Sequence, residues 1–187
     1  MGLGDGGFRR HDALVGDRMK RFTALSLIVL GVALASSGVG YAIISQAVDN
    51  PGTAPLPGQI AGLALAGRST GWQAVGELTR LHGKGFPLSS GAVAMYGDQH
   101  QAKLWVAGAP IRPLASRMLI SMKDKIAEGN SPFTPTRERP DGARVIYELG
   151  GMGQKHFYFQ SGDLLIWLAA DQEIAEQAIS QVLEFYP

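Results

Sequence analysis

Residues 22–48 read "FTALSLIVLGVALASSGVGYAIISQAV", 27 consecutive positions without a charged side chain. No other stretch restricts the chain so strongly. An α-helix rises about 1.5 Å per residue, so ~20 residues cross the ~30 Å hydrocarbon core of a bilayer. The run is therefore expected to form one N-terminal transmembrane helix. A buried helix of a soluble domain competes with this reading but does not explain the basic tail in front of the run. A cleaved signal peptide also competes, because Ser45-Gln46-Ala47 has the small-x-small form of a processing site. Signal cores, however, extend over only about 7–15 residues.

Charge sets the direction of insertion. Residues 1–21 carry Arg9, Arg10, Arg18, Lys20 and Arg21 against Asp5, Asp12 and Asp17. On the far side Asp49 follows the run, and the next basic residue is Arg68. Positive charge is retained inside, so the N-terminus is expected in the cytoplasm of a bacterium and residues 49–187 in the periplasm or outside the cell. Tyr41 falls where an amphipathic ring meets the outer interface. Small residues recur at four-residue spacing in Gly31/Ala35 and Ser36/Gly40, which lets a second helix approach closely. Gly31, Ala35, Ser36 and Gly40 are thus the expected packing residues against other membrane-protein subunits. The run holds no His, Asp, Glu, Lys or Arg, which argues against a pore, a proton relay or an imidazole ligand to a haem. With 21 residues ahead of it, a transmembrane sensor is disfavoured.

Excluding that tail, the chain has twelve basic and thirteen acidic residues, so the basic excess lies at the N-terminus. Nucleic-acid binding needs clustered Lys and Arg and is not expected. The absence of cysteine excludes disulfides, thiolate metal sites, cysteine nucleophiles and a lipidated-cysteine anchor. A neutral, 45% apolar chain can bury a core beyond the membrane run.

That core is expected in residues 60–187, joined by the Pro/Gly linker "DNPGTAPLPGQ" at 49–59. Residues 60–67 form a small-residue strand pattern. Ser69 or Thr70 precedes a helix with Trp72, Val75, Leu78 and Leu81 on its apolar side, ended by "HGKGFP". Strand patterns at 92–96 and 102–107 lead to a helix over 111–128 carrying Leu114, Met118, Met122 and Ile126. Strands at 143–149, 155–160 and 163–169 follow. Asp171 then caps a last helix whose buried face holds Ile174, Ala175, Ala178, Val182 and Phe185 or Tyr186. The order β-α-β-β-α-β-β-β-α predicts an α+β domain, one antiparallel sheet with helices packed mainly on one face. "VAMYGDQHQAKLWVAGAP" and "HFYFQSGDLLIWLAAD" share an aromatic strand, a Gly-Asp turn, a Trp-bearing strand and a following helix. This echo suggests an internal duplication with Trp105 and Trp167 in equivalent places.

Chemistry is harder to find. "GGMGQKH" brings glycines near a lysine, but a phosphate loop needs Lys directly after Gly and a hydroxyl after that. Here Gln154 separates Gly153 from Lys155, His156 replaces the hydroxyl, and a strand follows in place of a helix. A tight hairpin fits better. Asp98-x-His100 lies in a polar turn, and His82, His100 and His156 belong to no metalloenzyme spacing. Ser89, Ser90, Ser131 and Ser161 lack a G-x-S-x-G context. No catalytic set, cofactor or metal is therefore expected. The proline-rich stretch "NSPFTPTRERPDG" looks like a docking loop, with Phe133, Arg137 and Arg139 as partner contacts. The chain is expected to be a membrane-anchored interaction protein, an accessory or stabilising subunit of a larger bacterial membrane complex. The alternatives are a small-ligand-binding module, with room near Ala61, Gly62 and Ala64, and an extracytoplasmic enzyme.

Overall fold

The computed structural model describes residues 30, 32–33, 35–82 and 85–187. The chain divides into two units, residues 1–43 and 44–187. Helix α1 runs through residues 35–49, and residues 30, 32 and 33 are helical too. Ala35 and Ser36 are exposed, and a side chain built at Gly40 would meet nothing within 4 Å. Gly31, with residues 22–29 and 34 of the expected span, lies outside the described residues. Among the described residues, no helix is long and apolar enough to cross a membrane.

The second unit is α+β around a nine-stranded sheet. Its elements are β1 (Gly52–Thr53), β2 (Gln59–Ile60), β3 (Leu63–Thr70), α2 (Gly71–His82), β4 (Ser90–Tyr96), β5 (Ala102–Gly108) and α3 (Arg112–Ala127). Then come β6 (Thr134–Asp141), β7 (Arg144–Gly151), β8 (Gln154–Ser161), β9 (Leu164–Ala170) and α4 (Ala175–Phe185). The sheet order is β2-β3-β4-β5-β9-β8-β7-β6, antiparallel throughout. The short β1 adds the one parallel pairing, alongside β4.

Alternation along the strands explains the layers. On one face Leu104 and Val106 of β5, Phe157 and Phe159 of β8, and Ile166 and Leu168 of β9 meet Ala178, Ile179 and Val182 of α4. Full burial of an Ile or Val side chain favours folding by roughly 1.5–3 kcal/mol. The other face turns Val93 and Trp105 toward Ala74, Val75 and Leu78 of α2, and Leu165 toward Ala115 of α3. The sheet is therefore covered on both sides. Two helices share one face, as expected, but α4 lies on the opposite one.

Three further expectations are corrected. The first strand is a hairpin, β2 turning through Ala61 and Gly62 into β3, with φ of 50° and 77°. Ala61 and Gly62 thus make a turn, and Ala64 is exposed. Trp72 and Leu81 are 73% and 67% exposed, because the buried stripe of α2 is Ala74, Val75 and Leu78. At 100° per residue, Trp72 lies about 110° round the helix from that stripe. The loop expected over Ser131–Pro140 is mostly β6, a strand pairing with β7 from Thr134 to Asp141. Proline is tolerated there because β6 is an edge strand with one ladder side unpaired.

The 49–59 segment is stitched to the domain. Ala54 is 1% exposed, and Tyr186 Oη and Tyr96 Oη donate to the carbonyls of Pro55 (2.6 Å) and Pro57 (2.9 Å). Burial raises the pKa of both phenols. Asp171 does not cap α4 through its side chain; its carboxylate accepts from Gln154 Nε2 at 2.9 Å instead. At the other end of α4, Arg144 donates to the carbonyls of Leu183 (3.1 Å) and Tyr186, satisfying acceptors that a helix terminus leaves open.

Candidate functional site

The glycine-rich stretch is a two-residue hairpin. Gly151 pairs with Gln154 across Met152 and Gly153, whose φ values are 52° and 81°. Two positive φ angles are the signature of a type I′ turn, so the stretch reverses the chain and presents no helix N-terminus to a phosphate. Gly151 has a second reason to be glycine. A Cβ there would stand 2.7 Å from both the Phe133 ring and the Pro132 carbonyl.

That close approach seats Phe133 against β8 and β9, with ring centroids 4.7 Å from His156 and 5.1 Å from Trp167. Trp167 also stacks on Tyr158 (5.3 Å), which stacks on Tyr147 (4.8 Å). Within this cluster His156 is 4% exposed and both its ring nitrogens are engaged. Trp167 Nε1 donates to His156 Nδ1 at 3.1 Å, so Nε2 carries the proton and donates to the Gly151 carbonyl at 3.0 Å. Burial holds its pKa below the ordinary histidine value, with the Gly151 bond opposing in part. No carboxylate takes part, so this histidine is built as a neutral structural bridge. His100 and Asp98 are exposed in the β4–β5 loop. Among the described residues, no group of three or more His, Cys, Asp or Glu could hold a metal ion.

Charge gathers on the α4 face at the β6 edge. A cleft of about 360 Å³ is lined there by Thr136, Arg137, Glu148, Lys155 and Gln172, with apolar walls from Leu149 and Phe157. Arg137 and Glu148 are directly opposed across β6 and β7. Glu148 is mostly buried, and its Oε1 makes no well-directed hydrogen bond. Arg139 Nε stands 3.4 Å away, so the two attract as ions without a bond of good geometry. Glu176, on the first turn of α4, joins Lys155 (3.1 Å) to Arg139 (3.3 Å). The Lys155 hydrogen bond, helped by Arg139, draws its carboxyl below the ordinary range.

The three residues expected to dock a partner therefore separate. Phe133 packs inside the aromatic cluster, Arg139 bridges two glutamates, and Arg137 is exposed with no ion pair among the described residues. Glu148, Lys155, Gln172 and Glu176 join Arg137 and Arg139 only through the fold. One signal was available in the sequence: Glu148 alternates with Ile146, a charge directed to the inner face of a strand. None of the three tryptophans lines the cleft. No family model, no curated protein and no solved structure matches the chain.

Proposed function

We propose that the chain is a single-pass, membrane-anchored interaction protein, an accessory or stabilising subunit of a larger bacterial membrane complex. Its N-terminus would lie in the cytoplasm and residues 60–187 in the periplasm or outside the cell. The observation that carries this reading is the charge-free run of residues 22–48, with basic side chains on its N-terminal side and none until Arg68 on the other. Small residues along it suit a neighbouring helix, with Gly31, Ala35, Ser36 and Gly40 at the contact.

The outer domain supports the same reading. Among the described residues, the buried His156 and the mostly buried Glu148 are engaged by internal partners. By contrast, β6 keeps an open ladder edge and presents Arg137 beside the cleft. An open edge accepts a partner's strand, and an unpaired arginine accepts a partner's carboxylate. The second reading, a small-ligand-binding module, draws on the volume of the cleft, which falls within the range of ligand sites.

Purification of the full chain from native membranes in mild detergent should recover a stoichiometric partner. Arg137→Glu should lower that recovery several-fold without changing the melting temperature. Recovery of the chain alone would overturn the reading. The lack of native cysteine allows a clean topology test. A membrane-impermeant maleimide should label Gln99→Cys, and not Gly6→Cys, on intact spheroplasts.

A further inference from the structure

Trp72 is the most exposed tryptophan of the chain, and its place in the fold is specific. It is the second residue of α2, and the residue before it, Gly71, lies against the start of the domain. A Cβ at Gly71 would stand 3.3 Å from the Pro51 carbonyl and 4.0 Å from that of Gly52. Gly52 is fixed in turn, its N–H donating to the Ser89 carbonyl at 2.8 Å and its backbone pairing with Ser90. The last turn of α1 closes with Asn50 N–H donating to Gln46 O at 3.0 Å. Trp72 thus directly follows the residue that lies against Pro51 and Gly52, just after the end of α1.

The strand registers extend this observation to one whole end of the sheet. Gly52 and Gly108 both flank Ser90, and Gly108 pairs with Leu164. Ala109 N–H donates to the Asp163 carbonyl at 2.9 Å. The start of β4, the end of β5, the start of β9 and the start of α2 therefore share the end where the chain enters. Beyond Gly108, Ile111 is 47% exposed at that same end. Met152, 77% exposed in the β7–β8 turn, lies at the opposite end, because Gly151 and Gln154 continue β7 and β8 away from Ser161 and Leu164.

We propose that this end of the domain rests on the outer leaflet, with the Trp72 indole in the headgroup region and Ile111 beside it. The inference rests on residues 22–48 spanning the membrane. From Val48, four peptide steps of at most about 3.6 Å place Gly52 within about 14 Å of the end of the span. The headgroup zone is about 5–7 Å deep on each side of the hydrocarbon core. The tether is therefore short on the scale of the bilayer, and the exposed aromatic stands next to it. An indole has an apolar body and one N–H donor, the combination that favours the membrane–water interface.

The full chain is reconstituted into phosphatidylcholine vesicles, with and without lipids brominated near the headgroup, and tryptophan emission is compared. Bromolipid should quench the wild type, and the Trp72→Phe variant should lose that quenched component. Adding Met152→Trp to Trp72→Phe should leave it unrestored. Flotation with the vesicles is measured on the same samples. Flotation with equal quenching in wild type and Trp72→Phe would overturn the inference and leave the span intact. Failure to float would overturn the span and the inference together. In native membranes, Trp72 emission shifted to the blue but unquenched by bromolipid would assign this end to a protein partner and overturn the lipid contact.

Discussion

Trp105 and Trp167 face each other across β5 and β9, and the strands on either side of them follow one register. Val93 opposes Trp105 on β4, and Tyr158 opposes Trp167 on β8. Continued outward, the match places Gly97-Asp98 of one hairpin with Gly162-Asp163 of the other. The strands of the two echoing segments thus relate by a local two-fold through the Trp105–Trp167 pair. What covers them does not. Residue 91 is glycine in the first half, and a Cβ there would stand 2.9 Å from Val75 of α2. The matching position in the second half is His156, over which Phe133 lies. One hairpin is sealed by a helix pressed close on a bare backbone, the other by stacked rings. The helices that follow, α3 and α4, then pack on opposite faces of the sheet.

The difference teaches that strand pairing and helix docking are specified separately. Pairing follows from alternation along each strand and from turn chemistry. Docking depends on which face still needs covering. The α4 face of the first half carries the small Ala92 and Ala94, whose matches in the second half are Phe157 and Phe159, and α4 closes over this surface.

The two halves should differ most in stability at their tryptophans. Trp167→Ala removes a stacked ring and the donor to His156, and should destabilise by about 3–5 kcal/mol. Trp105 is half-buried, packs against the cluster of Ala74 and Leu78 of α2, and has Lys103 Nζ 4.7 Å above its ring, so Trp105→Ala should cost about 1–3 kcal/mol. Denaturant titration of the full chain in detergent measures both, and equal losses would mean that the halves are energetically alike. An effect below that of Trp167→Ala and like that of Trp105→Ala is expected at the Gly91/His156 pair. Gly91→Ala should cost about 1–3 kcal/mol by pushing α2 off β4. His156→Ala should cost a similar amount by orphaning the Trp167 N–H. Combining the two should give additive losses, because the sites have separate partners.

The smallest expected effect distinguishes the halves by pH. The pKa of His156 is lowered in the folded state, so the unfolded chain takes up its proton first as pH falls. The contribution of His156 to stability is complete above its ordinary value of 6.5 and declines as pH drops toward the lowered folded value. His156→Gln should flatten that slope, whereas Gly91→Ala should leave it unchanged. Melting curves from pH 7.5 downward, at about half-unit steps, provide the test.

Much of the architecture was legible along the chain. The hairpin at Met152-Gly153, helix α3 and the apolar stripe of α4 follow from local periodicity or turn residues; the echo of the two Trp-bearing segments was visible too, but the pairing of Trp105 with Trp167 was not. The β6 strand was not legible, because prolines argue against a strand unless it is known to be at an edge, and only the assembled sheet defines the edge. The Asp141-Gly142 dipeptide before a strand was the one local hint of a hairpin there. Trp72 and Leu81 were misplaced because a helix with apolar residues on several sides does not declare which stripe is buried.

The sequence by itself determined a long neutral run with a basic flank, a separate α+β domain, and the failure of the glycine-rich stretch as a phosphate loop. These rest on charge, length and spacing, which are properties of neighbours in the chain. Tertiary structure alone decided that Phe133 turns inward, that Arg137 remains exposed while Arg139 is paired, and that Trp72 stands beside the point of entry. Each depends on residues brought together across large separations, Arg139 with Glu176 and Gly71 with Pro51 among them. Local propensity carries no information about such contacts; packing the sheet creates them.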